Sequence, residues 1–385
     1  MQSSELAAVG GPRGYVYNLK TELDKSECAN ICFIESGREK INKYKNKIEN
    51  LKSGKFKRFL VTLKSIVKHW LLLHGRHHNA IVDINEYDVV HFHSTLDMYA
   101  ARDSLKNYCG KVALTSHSPT LLSKEIYDSR SNFEKKFFKS MYKKLIRMDE
   151  YAFSRADFFI FPCREAEEPY FNNWDKFESL KLSNQDKFRY VLTGINQCSA
   201  KIDRKTVREK YNIPQNAFVV SYVGRHNEIK GYDTLKEIGE KILRYPNTYF
   251  LVAGREMPLQ GLKNERWIEI GWTNDPHSLI AAADVFILPN KETYFDLVLI
   301  EVLSLGQLVV ASRTGGNKFF ENKSSGIKLY DTQDEAVDLL LKIMAMSEED
   351  RFELAKSNLV LYKKDFTCEI FAERYLQLYS ELLQN

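Results

Sequence analysis

Arg225 and Lys230 stand five residues apart in "VGRHNEIKGYDTL" (223–235), directly after an apolar run. Two cations in a loop, beside the free backbone N–H groups of a helix start, make a site for a diphosphate. Gly224 allows the tight turn such a loop needs, and the helix is expected to begin near Tyr232 or Asp233. A solvated loop whose Arg225 and Lys230 pair with Glu228 or Asp233 explains the same residues.

Glu301 is the next group that could do chemistry. It lies in "TYFDLVLIEVLSLG" (293–306), where "LVLIEVLSL" reads as a helix packed on both sides. A carboxylate there is costly to bury without a partner. Facing back along the helix, it can accept the two hydroxyls of a ribose. A surface glutamate on an amphipathic helix is the plainer reading, and its neighbours Val298, Leu299, Ile300, Val302 and Leu303 count against it. Gly315 and Gly316 in "SRTGGNKFF" (312–320) would let backbone approach a ligand closely, or simply turn the chain. His117 ends "KVALTSH" (111–117). His91 and His93, alternating with Phe92, share a face and are assigned structural roles.

These residues need strands to hold them. "NICFIE" (30–35), "DVVHFH" (88–93), "KVALTSH", "DFFIFP" (157–162) and "RYVLTG" (189–194) read as one series of strands. "FVVSYVG" (218–224), "TYFLVAG" (248–254), "WIEIG" (267–271), "DVFILP" (284–289) and "LVVAS" (308–312) read as a second. Continuous apolar strands separated by helical stretches imply parallel sheets covered on both faces. The expectation is α/β, with two Rossmann-like doubly wound domains facing across a cleft, joined within 195–216. The first strand is expected to be short, or its native start to be missing, since only "LAAV" (6–9) precedes "GGPRG" (10–14). In such folds ligands gather outside the carboxyl ends of strands.

Composition narrows the class. The 385 residues are 44% hydrophobic and 28% charged, which is globular, and no apolar run approaches the roughly 18 residues of a spanning helix. No secretory signal is evident in "MQSSELAAVGG". Six scattered cysteines lack zinc-type pairing, as in reduced cytoplasmic proteins. Charge is uneven: Arg38 to Arg76 hold twelve Lys and Arg against two Glu, leaving the remainder net acidic. A polyanionic partner for one half, membrane surface or nucleic acid, is the implication.

The order "VGR…KG.D", "VAG", "ADVFILP", "E…LVLIEVLSLG", "VVAS..GG" resembles the C-terminal domain of family 4 retaining glycosyltransferases, which have the GT-B fold. The resemblance covers 218–330 well. It is looser before that, in "GG" (10–11), "DVVHFHS" (88–94), "TSHSPT" (115–120), "SRADFFIFP" (154–162) and "VLTGIN" (191–196), and returns in the last helix, "IFAERYLQLYSELL" (370–383). It implies an N-terminal acceptor-binding domain (1–198), a C-terminal nucleotide-sugar domain (199–365) and a helix crossing back (366–385).

By that resemblance, Arg225 and Lys230 hold the donor diphosphate and Glu301 the ribose. Gly10 and Gly11 approach from the opposite domain, and His117 lies near the reacting sugar. Gly224, Leu297 and Val298 belong to the donor loops, and Gly254, Arg255, Gly271, Trp272 and Thr273 line the base pocket. The donor is a nucleotide-diphosphate sugar, a UDP-sugar being favoured. No cofactor and no metal are expected, since no Asp-x-Asp motif is seen.

The chain departs from the family at one acid. The motif is E-x7-E with an aromatic two residues after the first Glu. Counting back from Glu301 gives Thr293, with Phe295 on the aromatic position; Glu292 is one residue early. Asp296 replaces a small residue where amides face phosphate, and a carboxylate there repels a dianion unless it points away. Glu292 swinging in, Thr293 binding a sugar hydroxyl, or an impaired donor site are the three readings; an active enzyme using Glu292 is preferred.

"KFKRFLVTLKSIVKHWLLLHGRHH" (55–78) places Phe56, Phe59, Leu60, Leu63, Ile66, Val67, Trp70 and Leu71 at helical steps beside Lys57, Arg58, Lys64 and Lys68. A helix lying on an anionic membrane has this pattern, as does a packed helix with a basic outer face. With the basic stretch 132–148, the expectation is a cytoplasmic enzyme, peripheral on the inner face of the membrane. Its acceptor would be lipid-linked or a glycan in bacterial surface polysaccharide assembly. A catalytically impaired partner protein and a sugar phosphorylase are the alternatives; a nucleic-acid binder lacks supporting motifs.

Overall fold

The computed structural model describes residues 11–25, 30–34, 55–74, 83–256 and 258–384. It divides into two compact units. One comprises residues up to Phe161, Tyr170–Val191 and from Ala372 onward; the other comprises Pro162–Pro169 and Leu192–Phe371.

The first unit holds four parallel strands in the order β1 (Val89–Phe92), β2 (Lys111–Leu114), β3 (Phe158–Phe161) and β4 (Phe188–Tyr190). β3 is apolar at every position and buried throughout, as a strand covered on both faces must be. The long helix Asn132–Arg155 starts with a capping box, Ser131 and Glu134 each satisfying the other's backbone. Its buried face, Phe138, Met141, Leu145 and Met148, packs with Leu73 and Ile66 of the helix Lys55–His74. The expected strand 30–35 is not formed at Asn30–Ile34, which is irregular. Its apolar residues are only partly buried, so no sheet edge recruits them. The expected strand at 6–9 lies outside the described residues.

The second unit is a six-stranded parallel sheet. Its strands are β5 (Phe218–Val223), β6 (Thr248–Ala253), β7 (Trp267–Gly271), β8 (Val285–Leu288), β9 (Val309–Ser312) and β10 (Ile327–Tyr330), in the order β10-β9-β8-β5-β6-β7. Alternation along β5 divides the core. Phe218, Val220 and Tyr222 meet Leu235, Ile238 and Ile242 of the helix Tyr232–Ile242, while Val219 meets Leu279 and Ala282 on the other face. The order in which strands are added reverses about β5: β6 and β7 lie to one side, β8 to β10 to the other. The crevice at the carboxyl ends of β5 and β8 is therefore the switch point where doubly wound sheets take ligands.

A buried ion pair holds the far side together. Arg208 is fully buried and donates to the carbonyls of Ala282 (3.0 Å), Gln215 (2.8 Å) and Ala217 (2.9 Å) and to Asp284 (3.0 Å). Asp284 also accepts from Val219 N at 2.7 Å and from Arg204 at 2.8 Å.

Candidate functional site

Two loops leave the switch point. The first, after β5, carries Arg225 and Lys230. It is a folded turn: Asn227 Oδ1 accepts Lys230 N at 2.9 Å, and Gly231 N bonds Glu228 O at 2.9 Å. Gly231 has φ +64°, and a Cβ there would lie 1.6 Å from Pro289 O, so only glycine fits. The helix begins at Tyr232, where the sequence places it. Arg225 is exposed.

The second loop, after β8, carries Asn290 to Asp296. It is tied to the first by Lys291 N to Ile229 O at 2.9 Å. Across the two, Lys230 Nζ lies 2.6 and 2.8 Å from the oxygens of Asp296. Lys230 thus pairs with neither Glu228 nor Asp233; Asp233 is bonded instead to Lys291. Asn290 and Thr293 also donate to Asp296. Burial alone would raise the Asp296 pKa; the ammonium and these hydrogen bonds outweigh it and hold the carboxyl below its ordinary range.

The residues around the motif's upstream acid are arranged inward. Thr293 is 3% exposed, with its hydroxyl directed to Asp296. Phe295 is buried, stacked on Phe320 at 5.5 Å. Glu292 is only partly buried. Gly315 and Gly316 do approach something closely, and it is this same loop. A Cβ on Gly315 would sit 2.0 Å from Thr293 O, and one on Gly316 2.2 Å from Tyr294 O. Glu168 accepts Gly315 N at 3.2 Å and pairs with Lys318.

Glu301 lies within the helix Leu297–Ser304, partly buried as its apolar neighbours require, with Leu297 and Val298 also half-exposed on the first turn. His277 Nε2 is 3.5 Å from its Oε2. At the ends of β6 and β7, Gly254 and Thr273 are half-buried, while Arg255 and Trp272 are exposed, Trp272 at 63%. His226, between the two cations, was not anticipated. It is fully buried, stacked on Tyr232 at 3.9 Å, with both ring nitrogens unpartnered and Glu269 Oε2 3.9 Å away. Burial pushes its pKa down to about 4.

His117 belongs to the first unit. It adopts φ 56°, a left-handed conformation uncommon outside glycine, and its Nε2 is 2.9 Å from His93 Nδ1. Tyr15 packs edge-on at 4.5 Å. Burial pushes His117 down to about 3, so the ring is neutral. His91 bonds Thr115 and Tyr379, each at 2.9 Å, and Tyr15 bonds Tyr375 at 2.6 Å. His91 and His93 are thus the frame of His117. Gly11 is exposed at φ +81° and its carbonyl accepts Tyr15 N; Gly10 lies outside the described residues. Among the described residues, no group of three His, Cys, Asp or Glu is placed to hold a metal ion.

Two α/β units, each built on a parallel sheet, are the architecture of the GT-B class. Residues 217–347 match the family described as Glycosyl transferases group 1, and residues 9–173 match Glycosyltransferase Family 4. The chain belongs to these glycosyltransferases. Among relatives, it is similar to the O-antigen biosynthesis glycosyltransferase WclY of Escherichia coli, at 22% identity over 51% of this chain and 57% of that protein. The lipopolysaccharide core biosynthesis glycosyltransferase LpsE of Rhizobium meliloti is 27% identical over 44% of this chain and 52% of that one. An Escherichia coli UDP-Gal:alpha-D-GlcNAc-diphosphoundecaprenol alpha-1,3-galactosyltransferase is 28% identical over 41% and 45%. The matches span about half the length of these curated relatives. In fold, the chain is similar to sucrose-phosphate synthase from Thermosynechococcus elongatus, with TM-score 0.63, 18% identity and coverage of 100% and 96%. It is also similar to Anabaena Alr3699/HepE in complex with UDP and glucose, with TM-score 0.59, 13% identity and coverage of 98% of each chain.

Proposed function

We propose that this chain is a retaining glycosyltransferase that moves a sugar from a nucleotide-diphosphate sugar, a UDP-sugar first, to a lipid-linked or glycan acceptor in bacterial surface polysaccharide assembly. The observation that carries it is the pair of loops at the β5/β8 switch point, with exposed Arg225, Lys230 and the Glu301 carboxylate. As the diphosphate leaves, its charge is stabilised by Arg225, Lys230 and backbone amides at the start of the helix Leu297–Ser304. The acceptor oxygen attacks the anomeric carbon on the face from which the diphosphate leaves: its bond to that carbon forms as the bond to the diphosphate oxygen breaks, and the leaving phosphate takes the acceptor's proton, so no protein nucleophile is required. His117, neutral, orients a sugar by hydrogen bonding instead of accepting its proton. The O-antigen, lipopolysaccharide and diphosphoundecaprenol relatives support the acceptor class, and the relative named for UDP-Gal supports the donor.

The helix Lys55–His74 supports a peripheral position on an anionic membrane. Phe59, Leu63, Val67, Trp70 and Leu71 are all exposed, with exposed Lys64 and Lys68 alongside. Lys136, Lys139, Lys143 and Arg147 form a second exposed basic stripe at helical spacing. No helix among the described residues is long and apolar enough to cross a membrane.

The test is thermal stabilisation by a panel of nucleotide sugars, followed by product analysis with the donor so identified. Stabilisation by one nucleotide series, abolished in Arg225→Ala, is expected; stabilisation by none removes the reading. Co-sedimentation with vesicles containing anionic lipid, lost in Lys64→Glu/Lys68→Glu, tests the membrane position. A second reading, a GT-B partner without transfer activity, is favoured by Thr293 at the acid position and by Asp296 on Lys230. Donor binding without turnover of any nucleotide sugar would select it.

A further inference from the structure

His277 is the second residue of the helix Pro276–Ala282. A cation there faces the positive end of the helix, which disfavours it. The side chain nevertheless sits with its Nε2 3.5 Å from Glu301 Oε2, and its ring also hydrogen-bonds the Cys198 thiol. Those two partners, Cys198 first and then Glu301, push its pKa up to about 10. Asp275, the acid that caps its own helix, has both oxygens committed to Ser278, at 3.2 Å to N and 2.7 Å to Oγ.

Backbone stitches fix the three segments that meet at this ring. Ser278 Oγ accepts from Lys201 N and Ile202 N, both at 2.9 Å. Ser304 Oγ accepts from Cys198 N at 3.2 Å and donates to Glu301 O at 2.7 Å. The imidazole and the carboxylate are therefore held against each other by their own helices. They stay 29% and 23% exposed, open enough for a ligand to reach them.

We propose that His277 is a positioning residue for donor binding: it holds Glu301 Oε2, so that Oε1 is presented in one orientation to the ribose hydroxyls. The proposal rests on the donor reading above and assigns that reading a residue outside the E-x7-E motif. A carboxylate alone on an apolar helix would sample several rotamers and lose part of its hydrogen-bond energy in being ordered on binding. The imidazolium removes that cost.

The experiment is calorimetric binding of UDP, ADP and GDP to the full chain, with the 2′-deoxy analogue of whichever binds tightest. Wild type, His277→Gln, His277→Ala, Glu301→Gln and Glu301→Gln/His277→Gln are compared, after thermal unfolding confirms that each is folded. Roughly tenfold weaker nucleotide binding in both His277 variants is expected, with a smaller preference for ribose over deoxyribose. The double variant should be no weaker than Glu301→Gln, because the two residues act as one unit. In wild type, the His277 ring resonance should report a charged imidazole at pH 8 and shift on nucleotide saturation. Wild-type affinity and ribose preference in His277→Gln, or a ring resonance that ignores saturating nucleotide, overturns the role of His277 and leaves the donor reading standing. Failure of the wild type to bind any of the three nucleotides overturns both.

Discussion

The Lys230 ammonium is held by both oxygens of Asp296, at 2.6 and 2.8 Å, although the two residues lie in different loops. A diphosphate arriving at Lys230 therefore meets a carboxylate already there. Asp296 does not cap the helix that follows it; its side chain is turned to Lys230, Asn290 and Thr293. Asp296→Asn is expected to tighten nucleotide-diphosphate binding by roughly tenfold by removing the competing charge. Folding should weaken by about 1 kcal/mol as a charge-assisted bond is lost. Titration calorimetry with UDP reads the first and urea denaturation the second. Weaker UDP binding in Asp296→Asn would mean that the carboxylate aims Lys230 instead of competing for it.

The upstream acid can be assigned by comparing neighbours. Thr293 is buried with its hydroxyl engaged, so Thr293→Val should cost about 1 kcal/mol of stability with little change in kcat. Glu292→Gln should lower kcat by about a hundredfold if its carboxylate serves the donor sugar. Steady-state kinetics of the two variants decide the matter. A larger loss of kcat in Thr293→Val would transfer the role to the threonine.

Arg208 and Asp284 anchor the six-stranded sheet from within. Removing the guanidinium takes one cation from Asp284 and leaves three carbonyls without their donor, and Arg208→Ala should cost about 3 kcal/mol. The exposed Lys205→Ala, three residues away, should stay within about 0.5 kcal/mol. Denaturant midpoints at constant m-value measure both. A cost below that of an ordinary surface substitution would show that Arg204 and Arg351, also on Asp284, suffice.

Acid should unfold the chain through its buried histidines. His91 and His93 are held well below their ordinary value by burial, and His117 at about 3. Between pH 6.5 and about 3 the unfolded chain binds protons that the folded chain refuses, so stability falls as pH falls through that window. His277 acts with the opposite sign. Its contribution is complete below pH 6.5 and is lost as pH rises to about 10. Melting temperature against pH should show a shallower acid limb in His117→Asn and a flatter alkaline limb in His277→Gln. An unchanged acid limb in His117→Asn, with His93→Gln equally silent, would place the acid sensitivity elsewhere.

Local pattern alone carried a good deal of this protein. Mostly apolar runs located β5, β6, β8 and β9, which have a neighbour on each side; β7, an edge strand, was legible in "WIEIG" despite Glu269. The helix at Tyr232 begins where the sequence placed it, near Tyr232 or Asp233, and the apolar flanks of Glu301 foretold its partial burial. The edge strand β10, "IKLY", escaped notice because an edge tolerates Lys328 and shows no continuous run. "NICFIE" misled for the converse reason: a strand needs a neighbour to pair with, and its own residues cannot supply one. What only the tertiary structure decided are the partnerships. Asp296 takes Lys230, Arg208 takes Asp284, His93 takes His117, and His277 takes Glu301. Each joins residues that chain order separates, and a charge or imidazole declares its chemistry in the sequence but finds its counterpart only when the loops meet.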